Sequence, residues 1–181
     1  MDAEVVPRPR LPQLSAAAPP PGKRPSESAT EMVQVVLPND ANPLGFILGG
    51  TVMHLIDIAA AIACHRHTRS LLVTAAVDGL QFLHPIKVGD FIILRSKVTA
   101  AWSTSLEAEV EVFSEEILTG VRQLTSRAYL TFVTIDTAGN RVAVPPLILD
   151  TEDEQRKAAE ANVRRAERLK ARKALEARSG R

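Results

Sequence analysis

Residues 40–50, Asp-Ala-Asn-Pro-Leu-Gly-Phe-Ile-Leu-Gly-Gly, place an amide side chain and a glycine pair directly before an apolar segment. If that segment is a helix, the free backbone N–H groups of its first turn can stabilise an oxyanion. Gly49 and Gly50 carry no Cβ, so an electrophile can approach this backbone closely. The pattern favours activation of a carbonyl at the helix start. Asn42 before Pro43 is also typical of a residue that only forms the turn.

The apolar segment contains one acid, Asp57. It lies eight residues beyond Gly49, which is about two turns and ~12 Å along a helix axis. The carboxylate therefore does not easily reach the start of its own helix. Burying an unpaired carboxylate is costly, so we interpret Asp57 as a functional residue, with a paired structural charge as the alternative.

The segment from Gly49 to about His67 has the periodicity of a buried helix. Apolar residues recur at spacings of three and four, interrupted mainly by Thr51, His54 and Asp57. Alanine is dense and no glycine or proline follows the opening pair, which favours a helix. Apolar side chains lie nearly all around it, so we expect it to be buried.

Five strand-like segments accompany this helix, at residues 31–40, 71–85, 90–101, 103–115 and 121–136. No second helical segment separates the last four, so we expect antiparallel neighbours, because parallel pairing needs crossover connections. An antiparallel sheet and one apolar helix can bury each other if the sheet wraps around the helix. The predicted fold is therefore α+β, with five or six strands around a central helix.

Alternation is clearest in residues 103–115, where apolar and acidic side chains point to opposite faces. The apolar face has Leu106, Ala108, Val110 and Val112, and the acidic face has Glu107, Glu109 and Glu111. This pattern predicts a half-buried strand with one face in water.

The two ends of the chain differ from residues 29–150, which we interpret as the single domain. Seven of the twelve prolines lie in residues 1–25, so residues 1–28 are predicted to be a disordered arm. Residues 151–181 contain ten Lys or Arg against six Asp or Glu. A capping box at Thr151 and Glu154 predicts a basic, mostly exposed helix there.

Composition favours a protein of the reducing cytoplasm. The chain is 45% apolar, has a net charge of +1, and contains a single cysteine, Cys64, so no internal disulfide can form. No apolar run is long enough for a membrane span. One Trp and one Tyr offer little for stacking nucleic acid, so neither a membrane nor a nucleic acid is expected as a partner.

Five motifs, in order, resemble the hot-dog-fold acyl-CoA thioesterases, in particular the bacterial group related to brain acyl-CoA hydrolase. The first is NDANPLGFILGG at residues 39–50, with the following helix. The next three are HRHT at 65–68, TAAVDGLQFLHPIKVGD at 74–90 and STSLE at 103–107. The fifth is the closing strand with its Val-Pro exit. The match covers roughly residues 31–150. The resemblance implies hydrolysis of acyl-CoA to a fatty acid and coenzyme A, with no cofactor and no metal.

The resemblance also implies roles for residues. Asp57 would be the general base or nucleophile, Asn42 would orient the water or the carbonyl, and Gly49 and Gly50 would bind the oxyanion. In this family, the Asp of one subunit meets the Asn and Gly-Gly of the other. The minimal active unit would therefore be a homodimer, assembled further into a trimer of dimers.

Contacts to the coenzyme A or acyl part of the substrate are implied at Arg66, His67, Thr104 and Ser105. The family usually has Gly and often Arg before the Thr-Ser pair, whereas this chain has Trp102 and Ser103. The departure concerns the packing of this loop.

The residues fit other classes of site less well. The Asp-Ala-Asn-Pro-Leu-Gly run is similar to a hot-dog hydratase motif, but Gly45 stands where that motif has its catalytic His. A non-catalytic acyl-CoA sensor is a second alternative, although a sensor does not need Asp57. Cys64, His65 and His67 are too closely spaced on one helix to form a metal site without further ligands. The glycine-rich run fits neither GxGxxG nor a P-loop.

Overall fold

The computed structural model describes residues 20–178. In chain order, the elements are β1 (Thr30–Val35), α1 (Gly49–Thr68), β2 (Leu71–Phe82), β3 (Phe91–Ala101), β4 (Ser105–Glu115), β5 (Arg122–Ile135) and α2 (Glu152–Arg178). Short 3₁₀ helices lie at Pro25–Ser28 and Pro38–Asp40.

The five strands form one antiparallel sheet with the order β1-β3-β4-β5-β2. Helix α1 packs against the inner face of this sheet, and its apolar residues join those of β3, β4 and β5 in one core. Leu106, Val110 and Val112 of β4 all point into that core. The predicted antiparallel sheet around one buried helix is therefore confirmed.

Strand β2 forms one edge of the sheet, because its neighbour within residues 20–178 is β5 on one side only. Several large apolar side chains on or near this edge are exposed, namely Leu71, Val73, Val77, Phe82 and Leu83. A long edge of this kind offers unpaired backbone groups to another strand. Such an edge is a typical place for pairing with another chain.

The prediction that the acidic face of β4 lies in water is wrong. The Glu107 side chain is 0% exposed and that of Glu109 is 3% exposed. Helix α2 lies over them and supplies their counter-charges: Arg164 Nη2 is 2.7 Å from Glu107 Oε1, and Lys157 pairs with Glu109. The alternation correctly indicated which side chains share a face, but the C-terminal helix covers that face.

The predicted boundary of the N-terminal arm also needs correction. Lys23 N–H donates to the Pro146 carbonyl at 2.9 Å, and Ile148 N–H donates to the Lys23 carbonyl at 2.9 Å. Ser28 is fully buried, and its Oγ accepts a hydrogen bond from Val98 N–H. Residues 20–28 are therefore held by the domain, while residues 1–19 lie outside the described residues. Neither helix within residues 20–178 has the length and apolarity needed to span a membrane.

Candidate active site

The loop before α1 holds the start of this helix in a fixed position. Asn42 N–H donates to the Phe46 carbonyl at 2.8 Å, and Gly45 N–H donates to the Asn42 carbonyl at 2.9 Å. Gly45 has φ +79°, a conformation that favours glycine. Beyond this turn, Ile47 N–H donates to the Ile86 carbonyl, which ties the loop to the connection after β2.

The first turn of α1 presents unpaired donors. The residue before the helix, Leu48, provides no side-chain cap, and the first internal bond runs from Val52 N–H to the Leu48 carbonyl. Within the part of the chain that the structure describes, the backbone N–H groups of Gly49, Gly50 and Thr51 have no acceptor. Three such donors at the positive end of a helix form an anion-binding site.

The carbonyl oxygen of the Asn42 side-chain amide stabilises the turn. Its Oδ1 accepts hydrogen bonds from Leu44 N–H at 2.9 Å and Phe46 N–H at 3.3 Å. The alternative that Asn42 is a turn-forming residue is thus correct for its Oδ1 atom. These two bonds orient the amide, so Nδ2 is the half available as a donor to a ligand.

A cleft of about 330 Å³ opens at this turn. Asn42 and Gly49 line one side of it, and the segment after β2 lines the other. The Phe82 ring is the closest wall, because a Cβ placed on Gly49 would be 3.5 Å from two of its ring atoms. The remaining walls are mostly apolar, formed by Phe46, Ile47, Val52, Leu83, Pro85 and Ile86 together with His84, Thr125 and Ser126.

Asp57 is half-buried on α1 and is held by a neighbouring strand. Thr74 Oγ1 of β2 donates a hydrogen bond to Asp57 Oδ1 at 2.8 Å. Asp57 does not line the cleft that contains Asn42 and Gly49, in keeping with the ~12 Å that separates it from the helix start. The structure therefore does not bring Asn42 and Asp57 of one chain together.

Sequence reasoning missed Thr74 and Phe82 as site residues. Thr74 belongs to the third motif of the family resemblance, and nothing in the sequence of β2 indicates which of its residues faces Asp57. The acid itself was a signal, because a carboxylate on a buried helix favours a hydrogen-bond donor on the neighbouring element.

Arg66 and His67 lie at the opposite end of α1 from the cleft. Arg66 Nη1 donates to the Ala29 carbonyl and to Thr30 Oγ1, the latter at 3.1 Å. The His67 side chain is fully buried, with Nε2 2.8 Å from the Pro145 carbonyl, and its burial lowers the pKa of the imidazole. Substrate contact by either residue stays a prediction, and this geometry gives His67 a structural role.

Thr104 and Ser105 lie at the start of β4, away from the cleft. The Thr104 carbonyl accepts a hydrogen bond from Thr134 N–H at 3.1 Å, and Ser105 pairs with Val133. Their contact with substrate also stays a prediction. Trp102, the unusual residue before them, links this loop to α2, because its Nε1–H donates a hydrogen bond to Asn162 Oδ1 at 2.9 Å.

A metal site and a reactive thiol find little support in this geometry. Among residues 20–178, no three His, Cys, Asp or Glu side chains converge as a metal site would require. Cys64 is fully buried, and desolvation raises the pKa of its thiol well above the ordinary value.

Comparison with known proteins places the chain in a family. Residues 44–121 match the thioesterase superfamily model. An uncharacterised acyl-CoA thioester hydrolase of Bacillus subtilis is 39% identical over 71% of this chain and 74% of its own. The human cytosolic acyl coenzyme A thioester hydrolase is 32% identical over 77% of this chain, which spans only 37% of that longer protein.

Solved structures agree with the sequence matches. An apo-hexameric acyl-CoA thioesterase superposes with a TM-score of 0.80 at 38% identity, covering 83% of this chain and 97% of that one. The Staphylococcus aureus acyl-CoA hydrolase, solved with butyryl coenzyme A, gives a TM-score of 0.78 at 31% identity, covering 88% and 99%.

The Staphylococcus aureus enzyme has also been solved with an asparagine, an aspartate and a threonine each changed to alanine. In that chain the asparagine precedes the aspartate by 15 residues and the threonine follows it by 17. Asn42, Asp57 and Thr74 have the same two separations. On fold, sequence and spacing, this chain belongs to the hot-dog-fold acyl-CoA thioester hydrolases.

Proposed function

We propose that this protein hydrolyses the thioester of acyl-CoA, with Asn42, Gly49 and Gly50 of one subunit and Asp57 of its partner forming each site. In the reaction, water adds to the thioester carbonyl, the C–S bond breaks, and the products are a carboxylic acid and coenzyme A. The observation that carries the proposal is the unpaired helix start, whose first residue, Gly49, lines the same cleft as Asn42.

The helix start would stabilise the charge that develops on the thioester oxygen. Backbone donors already fixed in position need no reorganisation during the reaction, which is why such groups contribute strongly to catalysis. The Gly49 and Gly50 positions keep this backbone accessible, and no atom outside the helix lies within 4 Å of a Cβ placed on Gly50. Asn42 Nδ2 would donate to the same oxygen or to the attacking water.

Asp57 would accept the proton of the attacking water, or attack the carbonyl itself. Thr74 occupies Oδ1 of the carboxylate, which leaves Oδ2 for this chemistry and fixes the plane of the group. The hydrogen bond from Thr74 makes Thr74 a positioning residue, because it acts on the substrate only through Asp57.

The separation of Asp57 from the helix start is the reason for proposing a dimer. Pairing of two β2 edges would bring two copies of α1 side by side and cover the exposed Val77, Phe82 and Leu83. If the two α1 helices run antiparallel, Asp57 of each would approach the cleft of the other. The hexameric relative supports further assembly, which we propose is a trimer of dimers.

The cleft would hold the acyl group, since its walls are mostly apolar and it begins at Gly49. Arg66, Thr104 and Ser105 lie away from this cleft and would contact a substrate held by the partner, whereas the buried His67 would support the fold. The reaction as proposed requires no cofactor, because coenzyme A is part of the substrate. The single buried cysteine suits a reducing compartment, so we propose that the reaction takes place in the cytoplasm.

Release of free thiol from a panel of acyl-CoA esters tests this function directly. We expect saturable thiol release that depends on Asp57. Binding of acyl-CoA without thiol release would support the sensor alternative instead, and hydration of an enoyl-CoA without thiol release would support the hydratase alternative.

A further inference from the structure

Four outward-facing side chains form a row across the sheet. In the strand register, Lys97 of β3 pairs with Glu109 of β4, Glu109 pairs with Tyr129 of β5, and Tyr129 pairs with Asp78 of β2. The row therefore runs perpendicular to the strands, from β3 to the edge strand.

Helix α2 contacts three members of this row. Lys157 pairs with Glu109, the Arg164 guanidinium lies 3.6 Å from the centre of the Tyr129 ring, and Arg168 pairs with Asp78. These three contacts occur in chain order, so α2 crosses β4 and β5 and reaches β2 at Arg168.

The helix does not end at the edge of the sheet. Ten more helical residues, 169–178, follow Arg168, and every one of them is exposed. Ten residues extend about 15 Å along a helix axis, whereas neighbouring strands lie about 4.8 Å apart. The overhang, defined as residues 169–178, is thus long enough to reach past β2 by up to about three strand widths.

A strand that pairs with the edge of β2 would lie beneath this overhang. Outward-facing apolar side chains are available on β2 itself, where Leu71 and Val73 pair with Ile135 and Val133 and are 42% and 48% exposed. The overhang contributes Leu169, which is 44% exposed. Apolar surface of this kind, on both sides of one edge, is typical of a contact between subunits.

We propose that the overhang of each subunit clasps the outer face of the partner subunit's sheet when two β2 edges pair. The occupant is a second copy of this chain, because only a copy paired at β2 continues the sheet along the path of α2. The inference rests on the dimer of the proposed function. It assigns the C-terminal helix a role in assembly rather than in coenzyme A binding.

A truncation tests the clasp. A chain that ends at Arg168 keeps each of the three α2 contacts to the sheet and loses only the overhang. We expect its dimer dissociation constant, measured by analytical ultracentrifugation, to rise by at least about tenfold, since the apolar contact would return to water. An unchanged dissociation constant would overturn the proposal.

Site-directed cross-linking provides the second test. A chain carrying Val73→Cys is co-expressed with a differently tagged chain carrying Lys173→Cys, and the assembly is treated with a short bis-maleimide. The native Cys64 is buried and should not react. The control replaces Lys173→Cys with Val163→Cys, which is exposed but lies before the overhang.

We expect a cross-linked heterodimer with Lys173→Cys and much less with Val163→Cys. Equal yields at the two positions would contradict the clasp. If the full-length chain is a monomer, the dimer of the proposed function fails and the clasp fails with it. If the chain dimerises but the truncation and the cross-linking give the overturning results, only the clasp fails.

Discussion

Thr74 and Asp57 form a side-chain hydrogen bond of 2.8 Å between β2 and α1. The bond joins the strand at the edge of the sheet to the helix at its centre. It fixes the one acid of α1 at the face where a second subunit would pack. The catalytic assignment of Asp57 therefore depends on the edge strand as well as on the helix.

Changing Asp57→Asn should preserve the fold and remove most of the activity. Asparagine is nearly isosteric but cannot accept a proton from water, and loss of general-base catalysis typically lowers kcat by a factor of about 10²–10⁴. Thiol release from acyl-CoA measures the effect, with circular dichroism as the control for folding. Activity within about threefold of the native enzyme would exclude Asp57 as base or nucleophile.

Changing Thr74→Val should lower kcat by roughly tenfold, because the carboxylate of Asp57 loses the donor that orients it and misplaced groups are costly in catalysis. The matched control is Thr74→Ser, which keeps the hydroxyl and should retain most of the activity. Comparable losses in both variants would show that the methyl packing of Thr74 matters rather than its hydrogen bond.

Two variants of Asn42 separate its two roles. Asn42→Asp keeps an oxygen that can accept from Leu44 N–H and Phe46 N–H, but it loses the Nδ2 donor. We expect kcat to fall strongly with little change in thermal stability, since a transition-state contact is lost. Asn42→Ala should lower both kcat and stability. Native activity in Asn42→Asp would show that the residue only forms the turn.

Mixed dimers should recover activity from two inactive parents. If Asp57 serves the partner's cleft, a dimer of one Asp57→Asn chain and one Asn42→Ala chain has one intact site and one doubly damaged site. Differently tagged chains are co-expressed, the mixed dimer is purified through both tags, and thiol release is measured. A purified mixed dimer as inactive as its parents would place each site within a single chain.

Changing Arg164→Ala should destabilise the protein by about 3 kcal/mol or more, because it leaves Glu107 buried without its partner and unpaired buried charges are strongly unfavourable. Chemical denaturation measures the loss. Glu107→Gln in the same background should restore part of the stability, since the buried group is then neutral. Full additivity of the two single changes would contradict the coupling. Lys170→Ala, at an exposed position of the same helix, is a control for charge and helix propensity.

The local spacing of apolar residues was sufficient to predict the main helix and strands of this protein. The spacing of apolar residues after Gly49 predicted a buried helix, and the alternation at Leu106, Ala108 and Val110 predicted the inner face of a strand. Both periodicities follow from backbone geometry alone. The turn at Asn42 and the glycine pair were likewise predictable, because their conformations depend on neighbours a few residues away.

The remaining features depend on residues far apart in the chain. Glu107 and Glu109 are buried because α2, about 50 residues later, lies over them, and Lys23 is fixed by a segment near residue 146. Thr74 and Phe82 reach the site because β2 packs beside α1. Alternation along a strand states which side chains share a face, but the element that covers the face is chosen by packing over the whole chain. The sequence by itself determined the elements and the helix start, and only the tertiary structure decided which charges are paired and which edge is left for a partner.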